Sequence, residues 1–264
     1  MTGALAVVFS LVAFGPVSVL ADSATLFSDG FESEDFSAWT SVDNKWDTVG
    51  SASHPADAHS GNVRAEVKGN TGPEDNVLRK AQSAVGYENI TLGYSYKVKE
   101  ALESDDHVYV EWSSDGNVWI TLADLTNLPA SDEWVSPSHL IGTLDQVEFR
   151  FRAHLDAGTT DTLFLDDVLL TGEVPERQIS GYKFYDANGS GGARDINDPG
   201  INNWHITLIG EDGTAIYETG DDGYYEFTVL SNRTYTVCES SHDNWTETYP
   251  ADGTAGAVSC DEGE

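Results

Sequence analysis

Residues 180–204 read as a strand, then an acidic glycine-rich loop, then a second strand. The loop places oxygen side chains at Asp186, Asn188 and Ser190, and again at Asp195 and Asp198, with glycines among them. Alternate oxygen residues followed by a glycine turn suit a hard cation such as Ca2+, which takes roughly six to eight oxygen ligands in a flexible geometry. A loop of this kind between short strands points away from helices and towards a β-sandwich held together at its loops.

The rest of the composition agrees. The chain has 264 residues, enough for two domains with their own cores. It has 25 glycines and is rich in Thr, Val and Tyr, which favours strands, and no segment outside the first 21 residues reads as a helix. Asp and Glu number 45 against 13 Lys and Arg, a formal net charge of -32. Such a surface repels nucleic acid and anionic lipid, so neither is expected as a partner. It attracts cations, and it also suits solubility in a saline habitat.

Residues 1–21 read as a signal peptide. Ala4 to Leu20 is apolar and is broken by Gly15-Pro16, and Val19-Leu20-Ala21 supplies a small-residue cleavage site. The span is short for a membrane helix, and no second apolar run follows, so the mature chain is expected to be secreted or at the cell surface without membrane insertion. Two cysteines, Cys238 and Cys260, are expected to form a disulfide in an exported chain. Four sequons, at Asn89, Asn188, Asn232 and Asn244, are compatible with surface glycosylation.

Two modules are expected, 23–172 and 178–264, joined by a polar linker over 173–177. In the first, His107 to Trp112 and Val147 to Arg152 alternate, with Val147, Phe149 and Phe151 inward and Glu148, Arg150 and Arg152 outward. Residues 113–117 read as the turn of a hairpin between Trp112 and Trp119. Leu163 to Leu170 is an apolar closing strand with Asp166 and Asp167 in its middle, and buried carboxylates need a partner. In the second module the strand candidates are Ile179 to Tyr185, Trp204 to Ile209, Tyr224 to Val229 and Thr234 to Cys238. Gly210 to Gly213 and Gly220 to Gly223 read as turns.

The motifs Gly181-Tyr-Lys-Phe, Asp186-Ala-Asn-Gly-Ser-Gly, Asp198-Pro-Gly-Ile, Trp204-His-Ile-Thr-Leu, Gly223-Tyr-Tyr-Glu-Phe and Arg233-Thr-Tyr-Thr-Val occur in order along the second module. Together they resemble the SdrD B-like and Cna B-like surface domains. The resemblance implies a prealbumin-like (transthyretin-like) β-sandwich, extracellular and calcium-binding, that spaces or stiffens surface proteins. It also implies a further strand past Glu264, so the module is expected to be truncated. The loop carries one residue more than that family's usual spacing, at Gly191-Gly192. Lys183 sits where some Cna B-like domains carry an isopeptide lysine; no Asn partner is visible, and no crosslink is expected.

In the first module, Asp29-Gly-Phe-Glu-Ser, Phe36-Ser-Ala-Trp39, Ala58-His-Ser-Gly61, Val108-Tyr-Val-Glu-Trp-Ser-Ser-Asp-Gly116 and Phe164-Leu-Asp-Asp-Val168 resemble the concanavalin-like jelly rolls of MAM and carbohydrate-binding type. The resemblance implies a structural Ca2+ tying the first strand to the last, with Glu32, the backbone near Ser60, and Asp166 or Asp167 as ligands. The alternative is one exposed acid and one that caps a loop.

No catalytic motif stands out. Glu111, Asp115, Asp166 and Asp167 could be paired as glycosidase carboxylates, yet an acid-rich chain offers many such pairs by chance. The seven histidines form no ligand-spaced cluster. Trp112 and Trp119 flank the hairpin and are expected to pack inside. Trp39, Trp46 and Trp134 lie in irregular stretches and read as core residues or as a sugar-stacking platform. The expectation is therefore an all-β chain, a jelly-roll sandwich followed by a prealbumin-like sandwich, that is not an enzyme. It is a secreted or surface calcium-binding protein acting in adhesion, ligand binding or spacing, with a surface glycan or extracellular protein as partner. The alternative is the non-catalytic carbohydrate-binding portion of a secreted hydrolase.

Overall fold

The computed structural model describes residues 22–50, 57–69, 75–155, 161–189, 191, 193–211, 213–240, 242, 244–245 and 259–260. The expected leader over 1–21, Ser190 and the side chain of Cys260 lie outside the described residues. All regular structure among the described residues is β, and no helix is long and apolar enough to cross a membrane. The chain divides into two compact units, 22–175 and, after Pro175, 176–264.

The first unit has eleven strands: β1 (Asp22–Asp29), β2 (Ser41–Val42), β3 (Trp46–Val49), β4 (Arg64–Lys68), β5 (Asn76–Ser83), β6 (Glu88–Glu100), β7 (His107–Ser113), β8 (Ile120–Leu125), β9 (Ser138–Gly142), β10 (Gln146–His154) and β11 (Thr162–Val174). A six-stranded sheet runs β3-β4-β11-β6-β9, with β1 also paired to β11, and a five-stranded sheet runs β2-β5-β10-β7-β8. Their pairings are antiparallel. The alternation read from the sequence decides the packing. On β10, Val147, Phe149, Phe151 and Ala153 are buried, while Glu148, Arg150, Arg152 and His154 look outward. Ala65, Val67, Leu163 and Leu165 from the other sheet join the same core. Aromatic contacts tie the layers: Phe151 on β10 meets Tyr94 on β6 edge-on at 5.2 Å, and Phe149 meets Phe27 on β1 at 5.8 Å.

The first and last strands of this unit are zipped together. Asp22 lies opposite Val174, and Asp29 opposite Val168. β11 therefore runs through Glu173 and Val174. The expected linker 173–177 is strand on both sides of Pro175, because Val174 and Pro175 are buried and the flanking residues pair with β1 and with the strand at 224–230.

The second unit has β12 (Glu176–Tyr182), β13 (His205–Gly210), β14 (Gly213–Glu218), β15 (Tyr224–Leu230), β16 (Tyr235–Ser240) and β17 (Ser259–Cys260). β12 pairs with β15, and a second sheet runs β14-β13-β16-β17. Trp204, Ile206, Leu208, Phe227 and Val229 form its core. The expected turn at 220–223 is present: Gly223 N donates to the Gly220 carbonyl at 2.9 Å. Gly223 has φ +76, and a Cβ there would lie 1.9 Å from the Lys183 carbonyl, so only glycine lets these two chain segments approach. β14 had no sequence-level expectation; its exposed, weakly alternating residues lack a clear apolar face. Lys183 Nζ meets Glu239 Oε2 at 2.5 Å and lies over the Trp204 ring, an ion pair in place of the crosslink position.

Candidate functional sites: two oxygen-rich loops and a charged outer face

The first oxygen-rich site lies at the end of β1. Chain reversal after Asp29 is fixed by its carboxylate, which accepts from Phe31 N at 2.7 Å and from Trp39 Nε1 at 2.7 Å. This leaves Glu32 beside the turn at 61–63. Glu32 Oε1 accepts from Asn62 N and Val63 N, both at 2.8 Å. Across from it, Asp166 and Asp167 interrupt the pairing of β11 with β6, and Asp167 has φ +45, unusual for a non-glycine residue. Asp166 is fully buried. Its Oδ2 accepts from His59 N at 2.8 Å and Ser60 N at 3.3 Å, and its Oδ1 from Asp167 N at 2.7 Å. Asp167 accepts from Ser60 Oγ at 2.6 Å and pairs with His59 Nδ1 at 2.5 Å.

Glu32, Ser60, Asp166 and Asp167 therefore converge on the 59–63 loop. Burial pushes the Asp166 carboxyl up to about 6, opposed by the amide donors from Asp167 and His59. No Lys, Arg or His forms a salt bridge with Asp166 among the described residues. The side-chain oxygens suit a hard divalent cation by type, but Glu32, Asp166 and Asp167 do not bring three carboxylates within 4.8 Å of one another.

The second site is the 186–198 loop. Asp198 is buried; its Oδ1 accepts from Ala187 N at 3.1 Å and its Oδ2 from Asp195 N at 2.9 Å. Asp195 accepts from Asn197 N at 2.6 Å and from Asn188 Nδ2 at 2.7 Å, and Asp186 accepts from Gly191 N at 2.9 Å. Asp186, Asn188, Asp195 and Asp198 thus share one loop. Arg194 braces it by donating to the carbonyls of Asp198 and Asp222 at 3.1 and 3.0 Å. The oxygen donors again suit a hard cation by type, but Asp186, Asp195 and Asp198 do not gather within 4.8 Å of one another.

The third feature was not legible in the sequence. The outer face of the five-stranded sheet carries a ladder of paired charges. Glu111, buried on β7, accepts from Arg150 Nε at 2.7 Å and from Arg152 Nε and a terminal nitrogen at 3.0 Å each. Arg152 also donates to Asp75 at 2.9 Å, and Arg79 pairs with Glu148. Trp119 lies over Arg150 at 3.9 Å, and Tyr109 lies under Arg152 at 4.1 Å. Register explains it: Arg150 faces Glu111 and Arg152 faces Tyr109 across the ladder.

Several sequence readings change here. Trp119 lies on this outer face, not inside, because the hairpin turns it back over the guanidinium groups. Of the two readings of Trp39 and Trp46, core packing is the one observed: both are buried, and Trp39 packs on Phe27, Phe149 and Phe151. Trp134 caps the other sheet, against His59, Lys97 and Phe164. Glu111 and Asp166 belong to different sheets, and Asp115 closes a turn by accepting from Asn117 N and Val118 N. A further acidic set, Glu103, Asp106 and Asp161, brings three carboxylates within 4.8 Å of one another. A hydrogen bond with Asp106 holds the Glu103 carboxyl above its usual range.

Residues 177–264 match the SdrD B-like domain family. No curated protein matches the chain. Among solved structures, TmCBM61 in complex with β-1,4-galactotriose is similar at 19% identity and a TM-score of 0.42, covering 53% of this chain and 92% of that one. The CBM22-1 xylan-binding domain from Paenibacillus barcinonensis is similar at 17% identity and a TM-score of 0.39, covering 58% and 97%. The K3 cleaved adhesin domain of Lys-gingipain from Porphyromonas gingivalis is similar at 18% identity and a TM-score of 0.36, covering 57% and 99%.

Proposed function

We propose that this chain is a secreted or cell-surface binding protein that uses the outer face of its first sandwich to hold a glycan, with Ca2+ stiffening both units. The observation that carries the reading is the ladder of Glu111, Arg150, Arg152 and Tyr109 with Trp119 above it. Its polar groups are fixed by pairing, with Tyr109, Trp119, Arg150 and Arg152 half-buried around a buried Glu111. Sugar hydroxyls need planar donors and acceptors at fixed spacing, and the apolar face of a pyranose packs on aromatic rings. The match of residues 177–264 to a surface-domain family supports an extracellular setting.

Ca2+ suits both oxygen-rich loops by donor type, and binding would draw their acids closer together. Glu32, Ser60, Asp166 and Asp167 would hold one ion, and Asp186, Asn188, Asp195 and Asp198, with Ser190, another. Each ion would neutralise clustered carboxylates and join a loop to its neighbouring strands; no covalent chemistry is involved. The Cys238–Cys260 disulfide belongs to the same reading. It is supported by the register that sets Cys260 on β17 opposite Ser240 on β16.

The test is a glycan array probed with the whole mature chain in Ca2+, beside Trp119→Ala and Tyr109→Ala variants. Binding to a defined glycan that both variants lose supports the reading. Binding that ignores both substitutions overturns this face as the site, and no glycan bound at all leaves a calcium-stiffened spacer as the function instead.

A further inference from the structure

We infer that His107 and His154 form a two-histidine binding site for a divalent transition-metal ion, separate in place and chemistry from the oxygen-rich loops. The two residues lie directly opposite each other on β7 and β10. Both occupy the outward-facing set of their strands, at the end of the charged ladder. Directly opposed residues of an antiparallel pair hold their Cβ atoms about 4.5–5.5 Å apart, close enough for two imidazoles to reach one ion.

The carboxylates on either side settle the orientation. His154 Nδ1 bonds Asp75 Oδ1 at 3.0 Å, and His107 Nδ1 bonds Asp124 Oδ1 at 2.8 Å. An ionised carboxylate only accepts, so each Nδ1 carries a proton, and in the neutral ring Nε2 is the nitrogen that keeps its lone pair. Asp75 adjoins β5 and Asp124 lies on β8, the strands flanking β10 and β7 from opposite sides. Nδ1 and Nε2 lie on opposite sides of the ring's Cβ–Cγ axis, so anchoring both Nδ1 atoms outward turns both Nε2 edges towards the space between the strands. Neither Nε2 has a hydrogen-bond partner among the described residues. The His107 ring also lies parallel to Tyr109, 5.0 Å away, which restricts its rotation.

Carboxylate to imidazole Nδ1–H, with Nε2 free, is the outer-shell arrangement that orients histidine for a metal and raises its basicity. Neutral imidazole selects Cu2+, Ni2+ and Zn2+ over Ca2+, with Cu2+ bound most tightly. Two protein nitrogens leave the remaining positions of the ion to water or to an outside ligand.

The test uses the whole protein saturated with Ca2+, so that the oxygen-rich loops are filled, with one equivalent of Cu2+. Electron paramagnetic resonance should show two equatorial imidazole nitrogens. His107→Gln and His154→Gln should each reduce the count to one and weaken Cu2+ binding by at least about tenfold, while His205→Gln, on the other unit, changes neither. Asp75→Asn with Asp124→Asn should keep two nitrogens and weaken binding about 10–100-fold. A two-nitrogen signal that survives either single His substitution, or a wild-type signal with fewer than two nitrogens, overturns the inference.

Discussion

The carboxylate of Glu32 occupies the space that a side chain at position 61 would need: a Cβ built on Gly61 would lie 2.2 Å from Glu32 Oε1. Gly61 also has φ +61. The closure of the first site therefore depends on a missing atom as much as on the acids present. Gly61→Ala should destabilise the first unit by about 1–3 kcal/mol, since strain and collision act together. Gly86 shares the positive φ, at +87, but meets nothing within 4 Å. Gly86→Ala should cost only about 1 kcal/mol. Chemical denaturation of both variants checks the contrast; equal losses would mean that the contact with Glu32 contributes nothing.

Calcium should raise the unfolding midpoint of the mature chain specifically. A ligand bound only by the folded state at a hundred times its Kd adds about 2.7 kcal/mol. Thermal melts in EDTA and in millimolar Ca2+ at matched ionic strength measure this, beside the double variant Asp186→Ala, Asp198→Ala. The rise in the second unit's transition should vanish in the double variant. A rise of the same size with Na+ would show bulk screening instead.

Glu111 sets an acid limit for the first unit. Burial alone would raise its carboxyl, but the hydrogen bonds from Arg152 and Arg150 outweigh it and hold the group below the usual range. A depressed folded pKa means the unfolded chain binds the proton more readily. The stabilisation is complete above the unfolded value, about 4.3, and is lost as pH falls through the folded one. Glu111→Gln should flatten the fall in stability below about pH 4, read from melts at a series of pH values. At neutral pH Glu111→Ala should cost about 3–5 kcal/mol, because it leaves half-buried guanidinium groups short of their charge partner. An unchanged acid limb in the Gln variant would assign the limit to other carboxylates.

The core of the first unit is centred on Phe151. Its ring contacts Trp39, Trp46, Tyr94 and Phe149, which come from both sheets and from the loop after β1. Phe151→Ala should cost about 3–5 kcal/mol, leaving a cavity among these rings. Phe151→Leu should cost less. Denaturant midpoints for the two variants decide it.

How much of this was visible beforehand depends on the range of the interaction. The alternation of Val147, Phe149 and Phe151 is local, so the strand and its buried face were readable directly. Asp166 and Asp167 were visible as an anomaly, two acids in an apolar run, and that anomaly marked the first site. The meeting of Glu111 with Arg150 and Arg152, and of His107 with His154, depends on register between distant strands, which no local pattern encodes. Trp39 and Trp46 were open between core and sugar platform for a similar reason. Their neighbours are irregular, but both side chains cross into the core from loop and edge positions.

The antiparallel zipping of β1 onto β11 has a mechanical consequence. Asp22 and Val174 sit opposite each other, so the chain enters and leaves the first sandwich at the same end. Tension on those two points peels the ladder open one backbone pair at a time rather than shearing all of its bonds together. Peeling travels towards Asp29 and Val168, and there it meets the loop that Glu32, Asp166 and Asp167 tie down. A protein at a cell surface under flow would then yield softly at first and stiffen where the acids begin. Single-molecule stretching between Asp22 and Val174 should record a low-force extension before the main rupture. A single high-force event would reject this order of opening.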